Sequence, residues 1–276
     1  MNKITQELWF SKEEYQYRIS KIRDEINRLN IDALIVFFPE NVTWSTGFFT
    51  RGYSSFQFAI IPATGEPHIV CRDVEEFYIK KTSPFSNYTL WNDSDDKITI
   101  ATQAIKSLLG KKASVAIEEN AWSLLVTRYR EMKRRLKGFE WHDGSNIIIN
   151  LRMIKSEAEI AYQKKAAHAA EMGMSSAIEM AITGKSEREM AANICKKMIM
   201  EGSDRAGPGV LSSGERVLYL QAIVTEFLSL EIKFNLRQHR MLNIIMRALC
   251  GQLWLKMQLI NNTSLLSLLS KFKMKH

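Results

Sequence analysis

The stretch IDALIVFFPENVTWSTGFF, residues 31–49, predicts the centre of the fold. Its first eight residues are apolar apart from one aspartate and are rich in β-branched and aromatic side chains. A short run of this kind is typical of a strand that is buried on both faces of a sheet. Residues 39–41, which include a proline, predict a turn directly after the strand.

The elements around this strand predict a mixed α/β domain. Residues 11–30 place apolar side chains at helical spacing, and Ser11 with Glu14 three residues later predicts a capping box. Further patterns predict paired strands in FQFAIIP and EPHIVC with a turn at 63–65, helices at 74–81, 97–109 and 121–137, and strands in SVAIEE and FEWHDG. This order of elements predicts an α/β domain over residues 1–148.

A second domain is expected from residue 149 to residue 222. Residues 156–181 predict a long helix, and residues 187–201 predict another. Ser186 with Glu189 three residues on predicts the capping box of the second of these helices.

The composition indicates an ordinary globular protein. Of the 276 residues, 46% are hydrophobic and 25% are charged, which excludes a disordered tail. Neither a membrane-spanning run nor a signal peptide is apparent, and the three cysteines lack metal-ligand spacing. These observations predict a cytoplasmic protein without a membrane partner.

The net charge of +8 is concentrated at the end of the sequence. Residues 223–276 hold eight Lys and Arg against two Glu, a net of +6, whereas residues 1–222 carry only +2. No nucleic-acid partner is therefore expected. The apolar and basic run LNIIMRALCGQLWLKMQLI in this tail could form an amphipathic surface helix, or it could be an unselected sequence.

Three motifs resemble those of the creatinase, prolidase and aminopeptidase P family. They are NVTWSTGF at 41–48, LRMIKSEAEIAYQKKAA at 151–167 and LSSGERVLYLQA at 211–222. The resemblance implies a creatinase-like N-terminal α/β domain followed by an incomplete pita-bread α/β domain, usually in a homodimer. It also implies hydrolysis of C–N bonds in small peptides or N-substituted amino acids.

The resemblance also implies candidate substrate-binding residues. In creatinase-like dimers the loop after NVTWSTGF reaches the neighbouring active site, and here that loop is FTRGYSSF, residues 49–56. Tyr53 aligns with an aromatic residue that packs on substrate, and Arg51 could meet a carboxylate. The plainer interpretation is a solvated arginine and a packing tyrosine. Ser213 and Arg216 belong to a substrate loop or a plain turn, and Gln221 falls near the family's active-site histidine.

The metal centre of the family has no counterpart in residues 223–276. Most members hold two divalent metals such as Mn, Co or Zn with two Asp, one His and two Glu, and the creatinase-like branch uses none. The tail contains no Asp, and its candidate ligands are Glu226, Glu231, His239 and His276. The sequence therefore predicts no metal, no catalytic residue and a truncated, inactive chain, and a frameshift after residue 222 is one hypothesis for this. The alternative is a non-catalytic dimerisation or ligand-binding module.

Adjacent Glu118 and Glu119 end the strand SVAIEE. Neighbouring residues on a strand point to opposite faces, so they do not form a carboxylate pair. Both are expected to be exposed charges at the strand end.

Overall fold

The computed structural model describes residues 5–180, 185–204, 206–209 and 211. The chain divides into two compact units, with the division after Ser156. The first unit extends beyond residue 148 because a helix at 147–153 buries Ile147 and Ile148 in its core. Among the described helices, none combines the length and the apolar run that crossing a bilayer requires.

The helices and strands have the following bounds. The helices are α1 Lys12–Arg28, α2 Pro39–Thr46, α3 Glu76–Thr82, α4 Lys97–Leu109, α5 Val126–Arg135, α6 Ile147–Met153, α7 Glu157–Met180 and α8 Glu187–Met200. The strands are β1 Ala33–Val36, β2 Phe58–Pro62, β3 His68–Arg72, β4 Tyr88–Trp91, β5 Ala113–Ile117 and β6 Phe139–Asp143.

The six strands form one mixed sheet in the order β4-β3-β2-β1-β5-β6. Strand β1 lies in the interior, antiparallel to β2 and parallel to β5, with Leu34 opposite both Ile61 and Ala116. All four residues of β1 are buried. The prediction of a buried central strand, and with it the mixed α/β class, is confirmed.

Helices cover both faces of the sheet. Side chains from α4 and α5 pack with Ile35 on one face, and side chains from α1, α2 and α6 pack with Leu34 and Val36 on the other. This division follows from the alternation of side chains along β1, because consecutive residues of a strand point to opposite faces.

Three elements differ from the sequence-based expectations. Residues 39–41 begin helix α2 rather than form a turn, because Pro39 occupies the first helical turn, where its missing N–H is tolerated. Helix α5 begins at Val126 rather than near residue 121, because Ala121 and Leu124 lie in turns with backbone bonds to Glu118 and Ala121. Strand β4, which pairs in parallel with β3, was not predicted.

Within the second unit, α7 and α8 pack against each other. The side chain of Ser186 accepts a bond from the backbone of Glu189, and the Glu189 carboxylate accepts one from the backbone of Ser186. The predicted capping box is therefore confirmed. At Gly173, an added Cβ would lie 2.7 Å from Cγ of Met198, so the absent side chain permits close helix packing.

A buried arginine connects α1 to α2 and to the segment before α1. The side chain of Arg18 is 2% exposed, donates to the carbonyl of Trp44 at 2.9 Å and pairs with Glu14 at 3.0 Å. Its guanidinium also lies 4.1 Å from the centre of the Phe10 ring. Desolvation strengthens such a cation–π contact, so Arg18 holds Phe10, in the segment before α1, against α1.

Replacement of Arg18 by Met should destabilise the chain by roughly 2–4 kcal/mol, because it leaves the Trp44 carbonyl and Glu14 without their donor. Urea unfolding followed by tryptophan fluorescence measures this loss. The matched control is Arg28→Met on the same helix, whose exposed ion pair with Glu25 should contribute less than about 1 kcal/mol. Equal losses in the two variants would contradict the role given to Arg18.

Candidate functional site

The loop of residues 49–56 follows Gly47, a position that only glycine can occupy without strain. Gly47 ends α2 with φ +73°, in the left-handed region. An added Cβ would lie 2.7 Å from the carbonyl oxygen of Thr82 and 2.9 Å from Cζ of Tyr15. The backbone therefore passes close to α1 and α3 at this point, and the hydroxyl of Thr82 then accepts from the N–H of Phe49 at 3.1 Å.

A buried carboxylate holds the first half of the loop. The side chain of Glu75 accepts a hydrogen bond from the hydroxyl of Thr50, and that hydroxyl accepts from the N–H of Gly52 at 2.8 Å. An added Cβ at Gly52 would collide with Glu75. Thr50 and Glu75 are 5% and 6% exposed, so these bonds are shielded from water. The loop is thereby anchored on the segment that precedes α3.

Arg51 and Tyr53 project from this anchored loop. Arg51 is exposed and Tyr53 is half-buried. The ring of Tyr53 meets the ring of Trp122 edge to face, with centroids 6.1 Å apart. This places a guanidinium, a phenol and an indole on neighbouring segments, a set that can bind a carboxylate beside an apolar group. Trp122 was not among the predicted residues, since 69 positions separate it from Tyr53.

Sequence reasoning was wrong about Glu118, which is completely buried. Its Oε2 accepts from the N–H groups of Phe37 and Phe38 at 2.7 and 2.8 Å, and its Oε1 accepts from the amide of Asn41 at 2.6 Å. The other end of the Asn41 amide accepts from Arg152 Nη1 at 2.6 Å. Glu118, which the sequence analysis expected to be exposed, is thus the centre of a hydrogen-bond network that joins β1, α2 and α6.

Burial raises the pKa of Glu118 to about 7, although the N–H of Phe38, the amide of Asn41, the N–H of Phe37 and the charge of Arg152 all favour the ionised form. Desolvation therefore outweighs the donors. All three hydrogen-bond partners of the carboxylate are donors, so a proton on Glu118 has no acceptor among them. Protonation therefore removes one acceptor position from this network, but it also removes the larger penalty of a buried charge.

The other titratable candidates lie apart from one another. His68 pairs with Thr89, His142 with Ser114 and His168 with Glu201. Within the described ranges, no three His, Cys, Asp or Glu side chains are grouped as metal ligands would be. The predicted residues Ser213, Arg216 and Gln221 lie outside the described residues, as do Glu226, Glu231, His239 and His276.

Comparison with known proteins agrees with the fold of the first unit. Residues 18–154 match the model of the creatinase/prolidase N-terminal domain. The prolidase from Pyrococcus horikoshii superposes with a TM-score of 0.63 and 24% identity, over 77% of this chain and 57% of that one. The dipeptidase PepE from Mycobacterium ulcerans gives a TM-score of 0.64 and 18% identity, over 80% and 58% of the two chains.

Relatives among curated proteins agree with this class. An uncharacterized hydrolase/peptidase of Sinorhizobium fredii is 26% identical over 79% of this chain and 59% of its own length. An Xaa-Pro dipeptidase of P. horikoshii is 29% identical over 72% of this chain and 52% of its own length. The chain thus spans about half the length of the curated relatives it matches. The match to the family model identifies residues 18–154 as a creatinase/prolidase N-terminal domain, which is the class of the first unit.

Replacement of Glu118 by Gln should flatten the pH dependence of stability. The pKa of Glu118 rises from 4.5 to about 7 on folding, so the folded state binds the additional proton. The stabilisation from that proton is complete below pH 4.5 and is lost as the pH rises through about 7, a change of roughly 3 kcal/mol. Urea unfolding of both proteins at matched pH between 4.5 and 8 measures the difference.

The control is Glu119→Gln, since Glu119 is exposed and adjacent in sequence. Its stability should follow that of the unmodified chain at every pH. A Glu118→Gln protein that retained the full pH dependence would show that another group is responsible.

Proposed function

We propose that the chain descends from a hydrolase of the creatinase and Xaa-Pro peptidase type, which cleaves C–N bonds in small peptides or N-substituted amino acids. The match of residues 18–154 to the family domain carries this proposal. It gains support from relatives whose names describe an Xaa-Pro dipeptidase and a hydrolase/peptidase. The protein would act in the cytoplasm and, like creatinase, as a homodimer.

The chain itself would bind the carboxylate of such a substrate without cleaving it. Residues 223–276 contain no aspartate, and hard carboxylates are the ligands that hold a pair of divalent ions and activate water between them. Gln221 occupies the position near the family histidine, and an amide does not titrate near neutral pH. We therefore propose a truncated, inactive chain without a metal centre, with a change of reading frame after residue 222.

A binding module without catalysis is the second candidate function. The loop of residues 49–56 favours it, since the bond from Thr50 to Glu75 preorganises Arg51 and Tyr53 before any ligand arrives. In this arrangement Arg51 pairs with the ligand carboxylate and the rings of Tyr53 and Trp122 contact its apolar part. Ser213 and Arg216 stay candidate substrate-binding residues on the family resemblance alone.

An assay of turnover tests the loss of catalysis, which both candidate functions share. The purified chain should hydrolyse neither Xaa-Pro dipeptides nor creatine nor ectoine, with or without added Mn²⁺ or Zn²⁺. Hydrolysis that is abolished by EDTA would contradict the proposed loss of the metal centre. The nucleotide sequence across codon 222 tests the origin of the tail, because a shifted frame should continue into a family-like C-terminal half.

Replacement of Arg51 by Gln should weaken the binding of an Xaa-Pro dipeptide by roughly tenfold, the effect of one charge-assisted hydrogen bond at an exposed site. Titration calorimetry on the full chain measures this affinity. Arg188→Gln, at another exposed arginine on α8, is the control and should bind as the unmodified chain does. If the Arg51→Gln variant bound the dipeptide as tightly as the unmodified chain, Arg51 would be a solvated side chain with no role in binding.

A further inference from the structure

Charge is unevenly distributed within the first unit. Residues 1–156 carry 22 Lys and Arg against 19 Asp and Glu, a net of +3. Residues 106–137 alone carry nine Lys and Arg against three Glu, a net of +6, so the rest of the unit is net negative. One of those three glutamates is Glu118, which is buried. The surface built by this segment is therefore strongly positive although the unit as a whole is nearly neutral.

Helix α5 orders these cations along one exposed face. Val126, Arg130 and Lys133 follow one another on α5 at intervals of three or four residues, and all are exposed, whereas Met132 on the opposite face is buried. Lys137 is exposed in the turn that follows the helix. At Gly138, just beyond Lys137, an added Cβ would lie 3.3 Å from Cγ of Lys112. The α4–β5 loop therefore adds Lys111 and Lys112 to the end of the stripe.

Few carboxylates neutralise this face. Glu131 pairs with Arg134 at 2.7 Å and Asp96 pairs with Arg135 at 2.8 Å. No ion pair within the described ranges involves Arg130, Lys133 or Lys137. Those three cations are consequently available to an anionic partner.

Exposed apolar side chains lie at the start of the same helix. Trp122, Leu125 and Val126 are 52%, 52% and 61% exposed. Single exposed apolar residues are common on soluble proteins, but these three occur within five positions and border the basic stripe. A surface that combines Trp, Leu and Val with a row of Lys and Arg has the composition of a membrane-surface binding face.

We propose that this α5 surface, formed by Trp122, Leu125, Val126, Arg130, Lys133 and Lys137, docks onto a membrane that contains anionic lipids. The cations contact the lipid headgroups, and the apolar residues enter the boundary with the acyl chains. A nucleic acid would explain the cations but not the aliphatic Leu125 and Val126, which have no partner on a phosphodiester backbone. This inference differs from the sequence-based expectation of no membrane partner, and it is independent of any hydrolase activity.

Vesicle co-sedimentation of the full chain tests the proposal. The chain should bind vesicles of phosphatidylcholine with phosphatidylglycerol at low salt and not vesicles of phosphatidylcholine alone. The triple variant Arg130→Gln, Lys133→Gln, Lys137→Gln should partition roughly a hundredfold less, since each cation near the surface contributes close to a fivefold gain. The control variant Lys12→Gln, Lys164→Gln, Lys196→Gln removes the same charge from exposed positions elsewhere and should bind normally.

A second variant, Leu125→Ser with Val126→Ser, tests the contribution of the apolar side chains to membrane binding. Leu125 occupies the N-cap of α5, where serine is a favoured residue, so the helix should remain folded by circular dichroism. Reduced partitioning of this variant supports docking on a membrane. Equal losses in both triple variants would attribute binding to net charge and overturn the proposal. The proposal would also be overturned if an oligonucleotide displaced the vesicles and the Leu125→Ser, Val126→Ser variant bound vesicles as well as the unmodified chain does.

Discussion

The carboxylate of Glu118 is the interaction on which the first unit depends. A charge with no exposure to water is tolerated only where hydrogen bonds replace its hydration. Here the N–H groups of Phe37 and Phe38, between β1 and α2, and the side chain of Asn41 supply them. Through Asn41 the same network reaches Arg152 at the end of α6. The β1–α2 junction, the end of β5 and α6, which are far apart in sequence, are thus joined at one point, and a change in any of them affects the other two.

The position of the candidate ligand loop follows from this arrangement. Helix α2 leaves the Glu118 network and ends at Gly47, whose left-handed backbone directs the chain past α1 and α3. Glu75 then accepts a bond from Thr50, whose hydroxyl accepts from the N–H of Gly52, and so Arg51 and Tyr53 project from an anchored loop. The unit therefore uses buried carboxylates twice, once to join its layers and once to shape its surface.

Sequence patterns predicted the elements that depend on neighbouring residues. The buried run at β1, the serine cap of α1, the capping box of α8 and the turn between β2 and β3 are local signals. Glu118 was misjudged because its burial depends on amides about 80 residues away, and charged residues at strand ends are ordinarily exposed. The contact of Tyr53 with Trp122 likewise depends on tertiary structure and leaves no pattern in the sequence. Arg51 was identified by resemblance, and its role in binding stays a prediction.

The place of β1 inside the sheet has a consequence for synthesis of the chain on the ribosome. Strand β2, one partner of β1, is translated soon after it, but the other partner is β5, and the hydrogen bond from the N–H of Ser114 to the carboxylate of Asp32 spans 82 residues. Until β5 has emerged, one edge of the most apolar strand has no partner, and such edges recruit other chains. The nascent first half of the domain would therefore be the form that chaperones need to shield.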